Sequence, residues 1–159
     1  METAIFAAGC FWEVENVFNK FDGVVSTTVG YTGGNTPNPT YQEVCCGQSG
    51  HAEAVKITFN PNVITYQDLL DIFWINHDPT MMNYQDCGLF SQYRSAIFYN
   101  NLEQRNQALE SAMEISDLKI YKYPIATEIL PAEKFYPAEQ QHRRPPEKQE
   151  MVSRGLISQ

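Results

Sequence analysis

The sequence is short of positive charge. Its 159 residues hold 11 Lys and Arg against 19 Asp and Glu, a net charge of −8. A surface of that sign repels phosphate, which argues against nucleic-acid binding. Long apolar runs are also missing. The nearest stretch, Ala4 to Trp12, is far too short for a membrane span and is interrupted by Gly9. No basic patch precedes an apolar stretch at the start, so a signal peptide is not expected and the cytoplasm is the expected location. There is no internal repeat and no low-complexity tract. With 43% hydrophobic and only 19% charged residues, disorder is excluded as the overall state. Cysteine is sparse: Cys10, Cys45, Cys46 and Cys87, with no C-x-x-C pair. A chain of this length buries a core without staples. The four cysteines therefore read as free thiols in a reducing compartment rather than as two disulfides. A zinc site built from Cys45, Cys46, His51 and Cys87 lacks the usual ligand spacing.

What is present is an alternation of strand and helix patterns. Residues 3–8 read as a buried strand, and Gly9 punctuates it. Phe11, Val14, Val17 and Phe18 then form the apolar face of a helix reaching about Lys20. After the Asp22-Gly23 turn, Val24 to Tyr31 reads as a strand, and Gly33 to Pro39 as a shaped loop. Ala52 to Phe59 alternates like a strand. Thr65 is an N-cap for a helix from Tyr66 to Asn76 that buries Leu69, Leu70, Ile72, Phe73 and Trp74. Asp78-Pro79 stops it, and an irregular connection follows to Tyr93. A strand at Ser95 to Tyr99 comes next. A helix at Glu103 to Ser116 is expected to turn Ala108, Leu109, Ala112 and Met113 inward. A strand is expected at Ile125 to Ile129. The interleaving predicts an α+β fold, a two-layer α/β sandwich with the sheet on one side and helices on the other. Residues 143–159 carry four basic and two acidic residues, net +2, so the remainder carries −10. Pro145-Pro146 breaks any helix there. The expected organisation is a catalytic domain at 1–142 and an irregular C-terminal tail at 143–159.

Cys10 carries the chemistry. It follows a strand and a glycine and opens a helix, which sets its sulfur beside exposed N–H groups and the positive end of the helix dipole. That setting favours a thiolate nucleophile. A small buried core cysteine is the other reading. Phe11 and Trp12, directly after it, either join the core or wall an apolar pocket. His51 could serve Cys10 as a base, which would make the protein a cysteine hydrolase or acyltransferase. His77, near a helix end, reads as an imidazolium welcomed by the helix C-terminus.

The order Gly9-Cys10-Phe11-Trp12 resembles the active-site signature of the peptide methionine sulfoxide reductase A (MsrA) family. The likeness continues in register through Gly30-Tyr31-Thr32-Gly33-Gly34, Thr36-Pro37-Asn38-Pro39-Thr40-Tyr41, Glu43-Val44-Cys45 and Gly50-His51-Ala52-Glu53-Ala54-Val55. It then runs through Phe73-Trp74, Asn76-His77-Asp78-Pro79-Thr80, Gln92-Tyr93-Arg94-Ser95 and Phe135-Tyr136-Pro137-Ala138-Glu139, covering roughly residues 4–142. A chain of motifs in order is specific where a single one is not. The resemblance implies a mixed sheet with a ferredoxin-like plait core. It also implies reduction of methionine S-sulfoxide, free or in oxidised proteins, through a sulfenic acid on Cys10. Glu53 matches the family's acid and is expected to be buried enough to hold a proton near neutral pH. Tyr41 and Tyr93 match hydrogen-bond donors to the sulfoxide oxygen, and Phe11 and Trp12 match the pocket for the methyl group. No bound cofactor or metal is expected, and the protein is expected to act as a monomer.

Three positions depart from the family pattern. Glu13 stands where Gly is common. Gly88 stands where an Asp is usual, which leaves Asp86 as the substrate-binding candidate. The tail has no cysteine. Recycling of the sulfenic acid is therefore open between two routes. In one, Cys87 or Cys46 forms a disulfide with Cys10 that thioredoxin reduces. In the other, an external thiol, glutathione with glutaredoxin, acts directly. A non-catalytic binding module of the same shape is the remaining alternative.

Overall fold

The computed structural model describes residues 1–45, 49–80 and 92–139. Along the chain these form β1 (Glu2–Ala8), α1 (Phe11–Phe18), β2 (Val24–Thr32), α2 (Tyr41–Cys45) and β3 (Ala52–Phe59). Then follow α3 (Tyr66–Ile75), β4 (Ser95–Tyr99), α4 (Leu102–Asp117), β5 (Glu128–Pro131) and β6 (Tyr136–Pro137). The tail from 143, together with Cys46, Asp86 and Cys87, lies outside the described residues.

The strands form one sheet in the order β5-β4-β1-β3-β2-β6. Its four central strands, β4-β1-β3-β2, with α1 after β1 and α3 after β3, are the split β-α-β of a ferredoxin-like plait. All pairings are antiparallel except β4 with β5, so the sheet is mixed. β1 and β3 are buried on both faces. Alternate residues of β1 divide cleanly: Ala4 and Phe6 join the large core, whereas Ile5 and Ala7 join a smaller cluster on the opposite face.

The large core explains why the helices sit where they do. Phe6 stacks on Phe18 of α1 at 5.5 Å and on Tyr66 of α3 at 5.9 Å, with Phe73 at 5.3 Å. Thr65 begins α3 with a reciprocal capping box: its hydroxyl accepts from the Asp68 N–H at 3.1 Å, and its own N–H donates to the Asp68 carboxylate at 3.0 Å. The opposite face is thinner, lined by Ala7, Ala52, Ala54, Ala96 and Phe98 and covered by Ala132 and Phe135.

The sequence pattern predicts neither α2 nor β6, and two further elements differ from it. In α4, Ala108 is buried as expected, but Leu109 and Met113 are 37% and 66% exposed. The inward face is completed by Gln104 and Ser111 instead. Gln104 donates to the Thr3 carbonyl and accepts the Asn100 N–H, and Ser111 accepts from the Trp74 indole at 2.6 Å. Polar side chains bury here because each finds a partner. The last long-strand segment starts three residues later than expected, at Glu128. Ala126 N–H bonds the Pro79 carbonyl at 2.8 Å, which takes that residue out of the ladder, and Pro131 is tolerated because β5 is an edge strand.

Candidate functional site

The plait brings the C-terminal ends of β1 and β2 and the N-terminal ends of β3 and β4 to one edge of the domain. Among the described residues, Cys10, Phe11, Trp12, Glu53 and Tyr93 lie at or beside those strand ends. Gly9 turns the chain out of β1 at φ +103°, a conformation that L side chains rarely adopt. Cys10 is then the N-cap of α1, with φ −61° and ψ 123°. Its carbonyl accepts the N–H of Glu13 at 3.1 Å and of Val14 at 3.2 Å. Its sulfur makes no capping hydrogen bond, and the residue is part-exposed. The thiol thus sits at the start of a helix without capping it.

Glu53 lies at the beginning of β3 on the helix-facing side, opposite Tyr31 in the β2–β3 register. It is 1% exposed. One carboxyl oxygen accepts the backbone N–H of Phe11, the residue after Cys10, at 3.2 Å. The other is buried and has no hydrogen-bond partner among the described residues. Burial raises the Glu53 pKa to about 7, and the Phe11 N–H offsets only part of that. The group therefore holds a proton up to about pH 7, with one oxygen that finds no partner among the described residues.

The aromatic candidates divide. Phe11 is 1% exposed; its ring packs against Trp12 at 5.5 Å and Tyr31 at 5.8 Å. Its ring is thus a core element, while its N–H serves Glu53. Trp12 is part-exposed beside it, as an open apolar wall requires. Tyr41 starts α2, packs against the same core, and its backbone N–H donates to both carboxylate oxygens of Glu139, at 3.1 and 3.2 Å. Tyr93 is 40% exposed and follows Gln92, whose carbonyl accepts the Glu53 N–H at 2.7 Å. Glu13 is exposed in the first turn of α1.

His51 is the rival base, and the structure employs it elsewhere. Its Nδ1 accepts the Gly34 N–H at 2.9 Å, and its Nε2–H donates to the Thr36 carbonyl at 2.7 Å. Both ring nitrogens are spent on the 33–39 loop, which leaves neither a lone pair for Cys10 nor one for a metal. Gly34 is required at that contact, since a Cβ would collide with the backbone of His51. His77 also differs from the imidazolium expected. Its Nδ1–H donates to the Phe73 carbonyl at 2.6 Å, and its Nε2 meets the Ser95 hydroxyl at 2.7 Å. Burial lowers its pKa against the opposing pull of the Phe73 carbonyl and Asp78, which favours the neutral ring. Glu139 and Tyr31 were not picked out as site residues, although both lie within motifs carrying the resemblance. Only the fold shows that one holds Tyr41 and the other flanks Glu53.

A part-exposed cysteine at a helix start, a buried protonated carboxyl bonded to the N–H of the next residue, and a His51 imidazole occupied elsewhere form a set suited to substrates that must gain a proton as sulfur attacks them. This sets the protein among thiol-dependent oxidoreductases and apart from cysteine hydrolases. More narrowly, the family model for peptide methionine sulfoxide reductase matches residues 2–154, and the chain belongs to that family. It is 52% identical over 143 residues to the peptide methionine sulfoxide reductase MsrA of Methanothermobacter thermautotrophicus, covering 90% of this chain and 85% of that protein. Among solved structures it resembles Mxr1 from Saccharomyces cerevisiae in reduced form, with a TM-score of 0.80, 30% identity, and coverage of 99% of this chain and 88% of the other. It also resembles Mxr1 in complex with Trx2, with a TM-score of 0.65, 28% identity, and coverage of 91% and 86%. Among the described residues, no helix is long and apolar enough to cross a membrane.

Proposed function

We propose that the protein reduces methionine S-sulfoxide, free or within oxidised proteins, with Cys10 as nucleophile and Glu53 as proton donor. A sulfoxide sulfur is a weak electrophile until its oxygen is protonated or strongly hydrogen-bonded. Cys10 thiolate attacks that sulfur while the proton on Glu53 passes to the oxygen, and the Tyr41 and Tyr93 hydroxyls donate to the same oxygen as charge gathers on it. The sulfoxide oxygen ends on the cysteine. Methionine sulfur is reduced by two electrons, and Cys10 is oxidised to its sulfenic acid. Part-exposed Trp12, backed by the buried Phe11 ring, provides the apolar side on which the methyl group rests, with Asp86 as the further substrate-binding candidate.

The observation that carries this reading is the buried carboxyl of Glu53, tied by one oxygen to the residue after the nucleophile and protonated to about pH 7. Recycling needs a thiol that displaces water from the sulfenic acid to give a disulfide, and a second thiol to open it. Cys87 and then Cys46 are the internal candidates. The Trx2 complex of the yeast relative supports a thioredoxin as the final reductant, and glutathione with glutaredoxin is the route if neither cysteine reaches Cys10.

The test is one equivalent of the S epimer without reductant, followed by peptide mass spectrometry. One methionine per chain, with Cys10 either one oxygen heavier or in a disulfide with Cys87 or Cys46, supports the reading. Absence of methionine, or turnover of the R epimer alone, overturns it.

A further inference from the structure

The segment 92–95, which carries Tyr93, is tied from two sides. Toward the site, the Gln92 carbonyl takes the Glu53 N–H at 2.7 Å, and Ser95 pairs with Ala8, two residues before Cys10. Away from it, Arg94 Nε donates to Glu128 Oε1 at 2.8 Å, and the Ser95 hydroxyl shares a hydrogen bond of 2.7 Å with Thr127. Ser95 meets His77 as well. Arg94 and Ser95 are almost wholly buried, whereas Tyr93 between them and Gln92 is 40% exposed. Deep burial therefore does not set the place of Tyr93, and its chain neighbours on both sides are anchored. Arg94 is an always-charged group withdrawn from water, and its carboxylate partner sits on the edge strand β5, separated from β1 by β4.

We infer that Thr127 and Glu128 are positioning residues for the reductase: their grip on Ser95 and Arg94 holds Tyr93 over the sulfoxide oxygen. Neither acts on substrate directly. The inference rests on the role proposed above for Tyr93. Its physical basis is that a hydrogen bond strengthening in the transition state is sensitive to displacements well under an ångström along the donor direction.

Single-turnover rates at saturating sulfoxide, and half-saturation concentrations, distinguish this from a purely structural role. The variants are Tyr93→Phe, Glu128→Gln, Thr127→Val and the two doubles containing Tyr93→Phe. Tyr93→Phe is expected to slow the saturated rate about tenfold. Glu128→Gln and Thr127→Val are expected to slow it by about threefold to tenfold, with half-saturation little changed. In the Tyr93→Phe background they are expected to slow it no further. Thr127→Val keeps the side-chain shape and the Arg94 ion pair, so it carries the test if Glu128→Gln does not fold. The same slowing in both backgrounds, or a lowered melting temperature with an unchanged rate, overturns the positioning role and leaves Tyr93 in place. An unchanged rate in Tyr93→Phe alone overturns both.

Discussion

Two buried carboxyl groups flank α1, one at its start and one in its body, and they are treated oppositely. Glu15 points from α1 to the sheet and accepts the Thr27 hydroxyl of β2 at 2.7 Å, fastening the helix to the strand. Glu53 points from the sheet to the start of α1, spends one oxygen on the Phe11 N–H, and leaves the other unpartnered among the described residues. Both are nearly inaccessible, at 2% and 1% exposure. The first is a structural acceptor, given a donor at the oxygen that needs one. The second is held where burial favours its protonated form, an arrangement that costs stability whenever the group must ionise and is useful where a proton must be delivered.

The contrast is broken most strongly by removing the proton from one of the pair. Glu53→Gln keeps an acceptor for Phe11 and fills the same volume. It is expected to slow single-turnover reduction by about 10²–10³-fold while the protein remains folded, as circular dichroism would show. Next is pH. The folded Glu53 pKa lies near 7, above the ordinary value of 4.5. Its contribution to stability is therefore complete below about pH 4.5 and is lost as pH rises toward 7, by about 3 kcal/mol in total. Denaturant titrations at pH 5 and pH 8 read this difference, and Glu53→Gln should abolish its share. Glu15→Ala is expected to act the other way round, destabilising the fold by about 2–3 kcal/mol with the folded protein's rate within about twofold. A larger loss of rate than of stability there would erase the distinction. The smallest effect on chemistry is expected for His51→Ala. Loosening the 33–39 loop should lower stability by about 1–2 kcal/mol and leave the rate within about threefold, whereas a catalytic base would be indispensable.

How much of this was readable beforehand depended on the range of the interaction. β3 at Ala52–Phe59 and β4 at Ser95–Tyr99 follow from local alternation and match the expected bounds. Cys10 at a helix start is equally local, since a strand, a glycine and an apolar helical face lie within a few residues. The inward face of α4 was misread at Leu109 and Met113 because hydropathy cannot register that Gln104 and Ser111 have partners on β1 and α3. The roles of the two histidines were hidden for the same reason. Whether His51 is a base depends on where Gly34 and Thr36 lie, and the charge of His77 depends on its burial. Glu53 was reached through the family resemblance. The bond that gives it meaning joins residues 42 positions apart, and no periodicity reports that.

The central claim is that Glu53 supplies the proton for attack by Cys10. Its most direct test is the pH dependence of the single-turnover rate with the S epimer of methionine sulfoxide, in wild type and in Glu53→Gln. The wild-type rate should fall on the alkaline side with an apparent pKa near 7, and the variant should be slow and lack that fall. A variant that keeps the wild-type rate, or the same alkaline fall, would contradict the account.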